Sequence, residues 1–360
     1  MNSTVVSSAE LAAAQPATGM LGFAERGWLP DALIRLGIRR LCRERLQHES
    51  RGGPDEQDLR YAHLLETLKC SPVALHTNEA NAQHYELPPA FFALCLGSRL
   101  KYSSCYYPTG RESLSEAEEA MLRLYEERAE LADGQDILEL GCGWGSLTFW
   151  MAERFPRSRI TAVSNSRSQG VYIRAKCLER DLRNVRILTA DANSLALEAE
   201  QFDRCVCVEM FEHMRNYEVL LARIAGWLRP AGKLFVHIFA HQSFMYPFET
   251  AGAGNWLGRH FFTGGLMPAT DTLSWFQRDL LMDARWKVSG SHYERTANAW
   301  LANQDRHHDQ VLRVLREVYG PELAVLWLQR WRMFWMACAE LFGYDEGRQW
   351  LVAHYRFVRP

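Results

Sequence analysis

The central part of the chain alternates short apolar runs with amphipathic stretches that have the period of a helix. The apolar runs predict strands at 136–140, 159–163, 185–190, 204–208 and 233–239. One amphipathic stretch carries Tyr217, Leu220, Leu221, Ile224 and Trp227 on one face and ends at the Arg-Pro-Ala-Gly turn at 229–232. This alternation predicts an α/β protein with a mostly parallel, doubly wound sheet, Rossmann-like in layout.

The two flanks of this region have different patterns. Residues 1–27 are rich in Ser and Ala, and we expect them to be disordered. An amphipathic helix is predicted to begin near Asp31, followed by a second helix before residue 71. The stretch 241–285 is irregular and aromatic; a strand at 286–294, helices at 297–318 and 321–342, and a last strand near 350–358 are predicted beyond it.

These patterns divide the chain into four parts. After the tail at 1–27, we expect an N-terminal helical extension with a lid over the binding site at 28–130. The α/β core that binds the cofactor is expected at 131–240. A capping region at 241–360 is expected to complete the sheet and to cover the site with helices.

Composition restricts the class of protein. The chain has 360 residues, of which 48% are hydrophobic, so it can bury a large core, and its net charge of −2 argues against nucleic acid as the main partner. No signal peptide is recognisable, and no apolar run approaches the roughly 18 residues that span a bilayer. The nine scattered cysteines fit reduced thiols in the cytoplasm. Cys205 and Cys207 are interpreted as buried core rather than as a metal pair, and no metal is predicted.

A glycine-rich loop follows the first predicted strand. Glu139 is followed by Gly141, Gly143 and Gly145, a spacing that lets the backbone approach a bound cofactor because no Cβ stands in the way. A dinucleotide site would place its third glycine one residue later and an acid after the next strand, where this chain has Ser164–Asn165. The loop instead resembles the S-adenosyl-L-methionine (SAM) loop of class I methyltransferases. A glycine turn in an unrelated α/β protein remains the alternative.

Polar residues follow the carboxyl end of each predicted strand. They are Glu139 and Gly141, then Ser164, Asn165 and Gln169, then Asp191, then Glu209, and finally His237 and His241. Ligands of open parallel sheets bind beyond these ends, so we expect the residues to meet at one edge.

Two carboxylates and an imidazole lie within five residues after the fourth strand, namely Glu209, Glu212 and His213. Such groups accept the proton of an amine nucleophile and attract cations, which suits methyl transfer to nitrogen. The alternative is structural, with Glu212 complementing a helix N-terminus and His213 packing locally.

Several motifs in order resemble the cyclopropane fatty-acid synthase superfamily of SAM-dependent enzymes, and within it most of all the coclaurine N-methyltransferase branch. They are residues 81–86, 102–105, 139–145, 164–166 with Gln169, 262–265, 292–296 and 339–344. The resemblance covers about residues 31–360. It implies the class I fold, SAM as the cofactor and a small aromatic or alkaloid-like amine as the methyl acceptor.

The resemblance also implies roles for individual residues. Tyr102 and Ser103 match positions at the methionine part of SAM, and Glu139, Gly141 and Gly143 match the loop beneath it. Asn165 and Gln169 match the ribose side, and Asp191 matches the adenine end. Glu209, Glu212 and His213 match the catalytic group, and Trp331 and Phe334 match aromatic residues of the amine pocket. From spacing alone, Trp327, Trp331 and Trp335 form a core stripe, and the hydroxyl-rich stretch at 102–108 is either part of the site or a packed aromatic lid.

The lipid-modifying branch of the superfamily is the second hypothesis. Its synthases hold a bicarbonate base with a Cys, a Glu, a His and a Tyr. Here Glu212, His237 and Tyr293 stand at three of these positions and Ser104 stands where the Cys is expected; the alternative is a register shifted by one residue, which would place Cys105 there. The synthases usually carry Gly where this chain has Glu209, and the N-methyltransferases carry Glu, which favours an amine and assigns His237 and Tyr293 to the substrate side.

The basic helix at 31–47 suits peripheral contact with anionic lipid or, alternatively, an ordinary surface helix. A homodimer is a further expected partner. A SAM-binding scaffold without activity is the third hypothesis.

Overall fold

A seven-stranded sheet forms the centre of the molecule, as described by a computed structural model for residues 16–75 and 87–360. Its strands are β1 (Asp136–Leu140), β2 (Arg159–Ser164), β3 (Val185–Thr189), β4 (Phe202–Val208), β5 (Leu228–His241), β8 (Leu281–Val288) and β9 (Trp350–Val358). They lie in the order β3-β2-β1-β4-β5-β9-β8. The first five are parallel, and β9 runs antiparallel between β5 and β8.

Helices cover both faces of the sheet, and further helices come before its first strand and before its last strand in the chain. They are α1 (Gly19–Glu25), α2 (Asp31–Glu49), α3 (Gly53–Cys70), α4 (Pro89–Cys95), α5 (Leu114–Arg128), α6 (Ser146–Arg154), α7 (Arg167–Glu179), α8 (Tyr217–Trp227), α9 (Trp256–His260), α10 (Gly290–Arg306) and α11 (His308–Phe342). A small hairpin of β6 (Tyr246–Pro247) and β7 (Leu266–Met267) lies in the segment between β5 and β8. This is the predicted α/β architecture.

The direction of winding reverses between β1 and β4, which are neighbours in the sheet. Successive side chains of these strands point to opposite faces, so Ile137 and Val206 pack into one core while Leu138 and Cys205 pack into the other. Cys205 and Cys207 are both fully buried in that second core, so their interpretation as core residues is confirmed. A crevice opens at the carboxyl ends of β1 and β4, as the reversal requires.

The predicted strand at 286–294 is wrong in its second half. β8 ends at Val288, and the Ser289 side chain accepts a hydrogen bond from the Ser291 N–H and begins α10. Tyr293 therefore lies in the first turn of a helix.

The predicted helix at 321–342 is confirmed as the second half of α11, because the chain bends at Gly320 (φ 78°), just before Pro321, and the helix ends at Phe342. The predicted helix at 297–318 is wrong in its continuity, since α10 ends at Arg306 and α11 begins at His308.

The prediction of a disordered tail up to residue 27 is wrong for residues 16–27, while residues 1–15 lie outside the described residues. Residues 19–25 form α1, and the carboxylate of Glu25 is fully buried. It accepts hydrogen bonds from Trp256 Nε1 at 2.8 Å and from Arg330 Nε at 3.0 Å. A buried charge with such partners orders the segment that carries it.

The basic helix α2 begins at Asp31, as predicted. Arg35 and Arg39 both pair with Glu340 on α11, and the guanidinium of Arg45 lies over the ring of Tyr246. Three of its arginines are thus used to dock the helix on the fold. Within residues 16–75 and 87–360, no helix is both long and apolar enough to span a bilayer.

Candidate active site

A cleft of about 1210 Å³, counted to its open mouth, lies at the carboxyl ends of β1, β2 and β4. Nine of the predicted site residues line it: Tyr102, Ser103, Glu139, Gly141, Gly143, Asn165, Gln169, Glu209 and His213. They come from four separate segments of the chain, at 102–103, 139–143, 165–169 and 209–213. The ends of β1, β2 and β4 therefore meet at one edge, as expected, whereas Asp191, His237 and His241 do not line the cleft.

The glycine loop lies against the floor of the cleft in a backbone conformation that favours glycine. Gly141 and Gly143 have φ values of 78° and 52°. The N–H of Gly141 donates to the Val163 carbonyl, which fixes the turn on β2. A Cβ on Gly141 would lie 2.9 Å from Cβ of Met210, whereas a Cβ on Gly143 would meet nothing within 4 Å. Gly141 is therefore required by the neighbouring loop, and Gly143 leaves space in the cleft.

Glu139 brings a buried carboxyl group to the same floor. Its side chain accepts a hydrogen bond from the Thr148 hydroxyl on α6. Burial raises the pKa of Glu139 to about 8, because charge is poorly solvated there. A cation bound in the cleft would offset this cost and favour the ionised form.

The side of the cleft next to β2 offers hydrogen-bond donors. Ser164 Oγ donates to Oε1 of Gln169 at 2.7 Å and thereby fixes the amide. Nε2 of Gln169 and Oγ of Ser146 are buried and have no hydrogen-bond partner among the described residues. Buried polar groups without partners mark places where a polar ligand fits.

Asp191 does not share this position. Its Oδ1 accepts from the N–H of Asn193 at 2.7 Å, and among the described residues Ala190 and Ala192 line the cleft instead. The side chain of Asn193 in turn binds both the N–H and the carbonyl of Ala74. These two hydrogen bonds hold Ala74, which lines the cleft, next to the segment that follows β3. The sequence pattern did not predict this contact.

Glu209 holds the centre of the site. It has φ 46°, an uncommon value for a residue with a side chain. Its Oε1 accepts from the Ser104 N–H at 2.9 Å and lies 3.0 Å from Nε2 of His237, and its Oε2 accepts from the Tyr293 hydroxyl at 2.7 Å. Burial raises the pKa of Glu209, while the charge of Lys101 and these donors act in the opposite direction.

Glu212 and His213 lie on a short turn, Phe211–His213, directly after β4. Oε1 of Glu212 accepts from the Phe239 N–H at 2.9 Å, whereas its Oε2 is buried with no hydrogen-bond partner in the described part of the chain. Burial, together with the charge of Glu209, holds the pKa of Glu212 well above its usual range. Burial lowers the pKa of His213 to about 4, so its imidazole is neutral near pH 7.

The four residues assigned to the substrate lie behind the cleft rather than on its described wall. His237 and Tyr293 reach the site through Glu209. The ring of Trp331 lies 4.7 Å from that of Phe91, and the ring of Phe334 stacks on Phe261 at 4.3 Å. Trp331 and Trp335 are fully buried, so the core-stripe interpretation describes their packing.

The sequence pattern missed the groups that lie behind Glu209. These are Lys101, Tyr125, Arg128 and His354, all within hydrogen-bonded contact of one another or of the site. Three of them come from the segment before β1 and one from the last strand. The periodicity of a helix does not indicate whether a basic or hydroxyl side chain on it will contact the site.

Comparison with known proteins agrees with this geometry. The family model for mycolic acid cyclopropane synthetase matches residues 74–349. The chain belongs to this family. The chain is similar to (S)-coclaurine N-methyltransferase from Papaver somniferum, with 37% identity over 93% of this chain and 96% of the relative. The cyclopropane-fatty-acyl-phospholipid synthase of Escherichia coli (strain K12) is 28% identical over 77% of this chain and 67% of that protein.

Solved structures of the family extend the comparison. A coclaurine N-methyltransferase bound to N-methylheliamine and SAH is 36% identical and superposes with a TM-score of 0.89 over 93% of this chain and 97% of that one. A cyclopropane synthase from Mycobacterium tuberculosis is 21% identical with a TM-score of 0.66, which shows the shared fold alone. This family member is therefore a SAM-dependent methyltransferase with the class I fold.

Proposed function

We propose that the protein transfers a methyl group from SAM to the nitrogen of a small aromatic, alkaloid-like amine. The observation that carries this proposal is the carboxylate of Glu209, which accepts hydrogen bonds from Ser104, His237 and Tyr293 at the centre of the site. The N-methyltransferase relatives, similar over nearly the whole chain, support the same conclusion.

The position of Glu209 separates an amine from a lipid substrate. By resemblance, His237 and Tyr293 stand where the cyclopropane synthases hold bicarbonate, and here both contact a carboxylate that belongs to the chain itself. A fixed anion attracts an ammonium ion and stabilises positive charge that develops on nitrogen. An uncharged alkene gains nothing from it before the reaction begins.

The residues of the cleft fit SAM, whose sulfonium supplies an electrophilic methyl group. The carboxyl groups of Glu139 and Glu209 suit a cationic cofactor, and the amide of Gln169 offers an unpartnered donor. We assign Tyr102, Ser103, Gly141, Gly143 and Asn165 to the same cofactor because they line the cleft. Asp191 stays a weaker candidate for the adenine end, since its carboxylate is engaged with Asn193.

The three polar residues after β4 have distinct roles in the proposed reaction. An ammonium ion has no lone pair, so its proton must leave before nitrogen attacks the methyl carbon. Glu209 orients the amine through charge, and the neutral imidazole of His213 accepts the proton. Glu212, whose protonated form is favoured by burial and by the charge of Glu209, takes the proton only when it is ionised. The nitrogen–carbon bond then forms while the carbon–sulfur bond breaks, and a neutral thioether leaves.

An aromatic wall supports the choice of an aromatic amine. The imidazole of His213 is parallel to the ring of Phe262 at 6.0 Å, and that ring lies 6.2 Å from Phe334. Trp331 packs edge-on against Phe334 at 5.6 Å. Aromatic faces attract organic cations, so we assign Phe334 and Trp331 to the amine pocket.

The remaining expectations concern location and partners. All nine cysteines are unpaired, which fits the cytoplasm, a reducing compartment. Peripheral contact of the helix at 31–47 with anionic lipid has limited support, because Arg35, Arg39 and Arg45 bind the protein itself. A homodimer is retained as an expectation.

The test is an assay of purified protein with SAM against two panels, one of phenethylamine and isoquinoline amines and one of unsaturated phospholipid vesicles. We expect methylated amine and no modified lipid. In E209G the amine rate should fall by roughly 100-fold or more, although the protein should fold because glycine tolerates φ 46°.

The matched control is E44Q, which removes an exposed carboxylate of α2, and its rate should equal that of the parent protein. Calorimetric SAM binding checks that each variant is folded. Turnover of phospholipid without any methylated amine would overturn the proposal, and SAM binding with no product of either kind would favour a scaffold.

A further inference from the structure

A column of buried polar side chains leads from Glu209 across the neighbouring strands β5 and β9 to Arg128 at the end of α5. Nε2 of His237 lies 3.0 Å from Oε1 of Glu209, and Nδ1 of the same ring lies 2.9 Å from Nε2 of His354. Nδ1 of His354 lies 2.7 Å from a guanidinium nitrogen of Arg128. Both histidines are fully buried, and Arg128 ends α5 at the protein surface.

The guanidinium determines the direction of every hydrogen bond in this column. Arginine only donates, so Nδ1 of His354 must accept and carries no proton. The proton of neutral His354 then lies on Nε2, which donates to Nδ1 of His237. That leaves the proton of His237 on Nε2, where it is donated to Glu209. If any one of these hydrogen bonds ran the other way, neutral His354 would carry its proton on Nδ1, and that hydrogen would face an N–H of Arg128.

The hydroxyl of Tyr125 does not impose a direction. It lies 2.9 Å from Nδ1 of His237 and can either donate to that nitrogen or accept from it. An ionised Glu209 only accepts and so by itself keeps the proton of His237 on Nε2, but a protonated Glu209 could instead donate to that nitrogen. With only Tyr125 at Nδ1, both tautomers of His237 would then be permitted whenever Glu209 is protonated. His354 and Arg128 exclude the Nδ1–H tautomer in that state as well.

The charges around the column favour neutral imidazoles. Burial, the ammonium group of Lys101 and the guanidinium of Arg128 lower the pKa of His237 well below its usual range, and the same groups act on His354. Arg128 itself is held under the ring of Trp286 at 5.0 Å. Because the histidines stay neutral, Glu209 receives a hydrogen bond from the column but no compensating positive charge.

We propose that Arg128 and His354 are positioning residues that fix the Nε2–H tautomer of His237 and so hold a donor on the carboxylate of Glu209. The consequence for catalysis rests on the proposed function, whereas the tautomer itself does not. A hydrogen bond to the charged form favours ionisation of Glu209. Other titratable groups that bear on Glu209 are Lys101 and Cys105 before α5, Tyr125 on α5, Glu212 and His213 after β4, Tyr293 on α10 and Cys338 on α11.

The first experiment observes the tautomer directly by ¹⁵N NMR of protein labelled at histidine, with His237→Gln to assign the signals. We expect a single Nε2–H tautomer of His237 in the parent protein. In H354F a mixture of tautomers should appear as the pH is lowered and Glu209 binds a proton, because only Tyr125 then faces Nδ1 and a protonated Glu209 can donate to Nε2. H354Q should restore the single tautomer, since its amide accepts from Arg128 through oxygen and donates through nitrogen.

R128M is a second variant, useful if H354F does not fold, and it should also give a mixture. Y355F is the matched control, because it removes a different buried hydrogen bond of β9, from the Tyr355 hydroxyl to the Thr270 carbonyl. Its His237 signal should be unchanged. An Nδ1–H tautomer in the parent protein, or a single Nε2–H tautomer that persists at acidic pH in both H354F and R128M, would overturn the proposal.

The second experiment is the pH profile of amine methylation. H354F should lower kcat by roughly 10-fold to 100-fold and move the acid limb of the profile to higher pH, because Glu209 then binds its proton more tightly. KM for SAM should change less than kcat, and H354Q should recover most of the rate. An unchanged pH profile in H354F would contradict the catalytic consequence; if no amine is methylated at all, the proposed function fails while the NMR result still decides the tautomer.

Discussion

The hydroxyl of Tyr293 donates a hydrogen bond of 2.7 Å to the carboxylate of Glu209, although 84 residues separate the two in the chain. Tyr293 lies in the first turn of α10, and its ring stacks on Phe342 at 4.2 Å. The capping helices therefore complete a site whose carboxylate comes from the central sheet. Neither part holds the charge of Glu209 by itself.

This hydrogen bond predicts the effect of Y293F. The ring can still stack on Phe342, but Glu209 loses a donor to its charged form, which raises its pKa. We expect kcat for the amine to fall roughly 10-fold, with the acid limb of the pH profile moved to higher pH. Y355F is again the control, and an unchanged profile in Y293F would show that the hydroxyl does not support the ionised carboxylate.

Substitutions at two glycines of the loop should affect different properties, the stability of the protein at Gly141 and the binding of SAM at Gly143. G141A should lower the unfolding free energy by more than about 2 kcal/mol, because strain at φ 78° is added to a contact of 2.9 Å with Met210. G143A adds a methyl group that meets no protein atom within 4 Å, so its cost should be only about 1–2 kcal/mol. Its main effect should be weaker SAM binding.

Urea unfolding and calorimetric titration with SAM separate these two effects. If G143A binds SAM as tightly as the parent protein, the cofactor does not use the space next to this glycine.

Phe334 should affect the amine rather than SAM. F334L keeps an apolar side chain but removes the aromatic face, so we expect KM for the amine to rise about fivefold to tenfold, in line with one cation–π contact. The control is F276L, in the core on the other side of the sheet, where Phe276 packs against Tyr217. Steady-state kinetics with a saturating amount of SAM measure both, and equal KM values for the two variants would remove Phe334 from the amine pocket.

His241 predicts a loss of stability in mild acid. Its Nδ1 accepts from the N–H groups of Ser243 and Phe244 at 3.0 and 2.8 Å, so it cannot be protonated without breaking both bonds. Burial lowers the pKa of His241 to about 4, below the value of about 6.5 in the unfolded chain. The unfolded state therefore binds more protons between these values, and stability falls as the pH drops from about 6.5 to 4.

The contribution of His241 to this loss is at most about 3 kcal/mol, measured as urea-unfolding free energy against pH. H241N should show a shallower dependence, since its amide oxygen can still accept and does not titrate. H48N, at an exposed histidine of α2, should follow the parent protein. A slope in H241N equal to that of the parent would show that His241 is not the group that titrates.

The buried pair of Glu25 and Arg330 predicts that the N-terminal helix stabilises the whole protein. E25Q removes the negative charge from the buried ion pair between Glu25 and Arg330, which should cost about 3–5 kcal/mol. Removing the exposed partner in E44Q should change the unfolding free energy by less than about 1 kcal/mol. Equal unfolding free energies for the two variants would mean that α1 is only loosely attached.

The sequence by itself determined the layout of the sheet and most of the cofactor cleft. Period-two and helical patterns report which face of an element is buried, so β1, β2 and β4 and the polar residues at their ends were located correctly. The glycine spacing reports backbone approach, which is also a local property. The sequence pattern gave a wrong prediction at two places. Tyr293 was expected in a strand, but the Ser289 cap begins a helix that contains it. Glu25 lies in a Ser- and Ala-rich segment that was expected to be disordered, but it forms a buried ion pair with Arg330.

Only the tertiary structure decided what surrounds the carboxylate of Glu209. Its donors come from three distant segments, and the column through His354 to Arg128 crosses from the last strand to a helix before the first one. Such contacts depend on how different elements pack together, and the periodicity of one element gives no information about that packing. The sequence could single out Glu209, which we propose selects an amine, but the direction of the hydrogen bonds that hold it depends on which side chains the fold brings together.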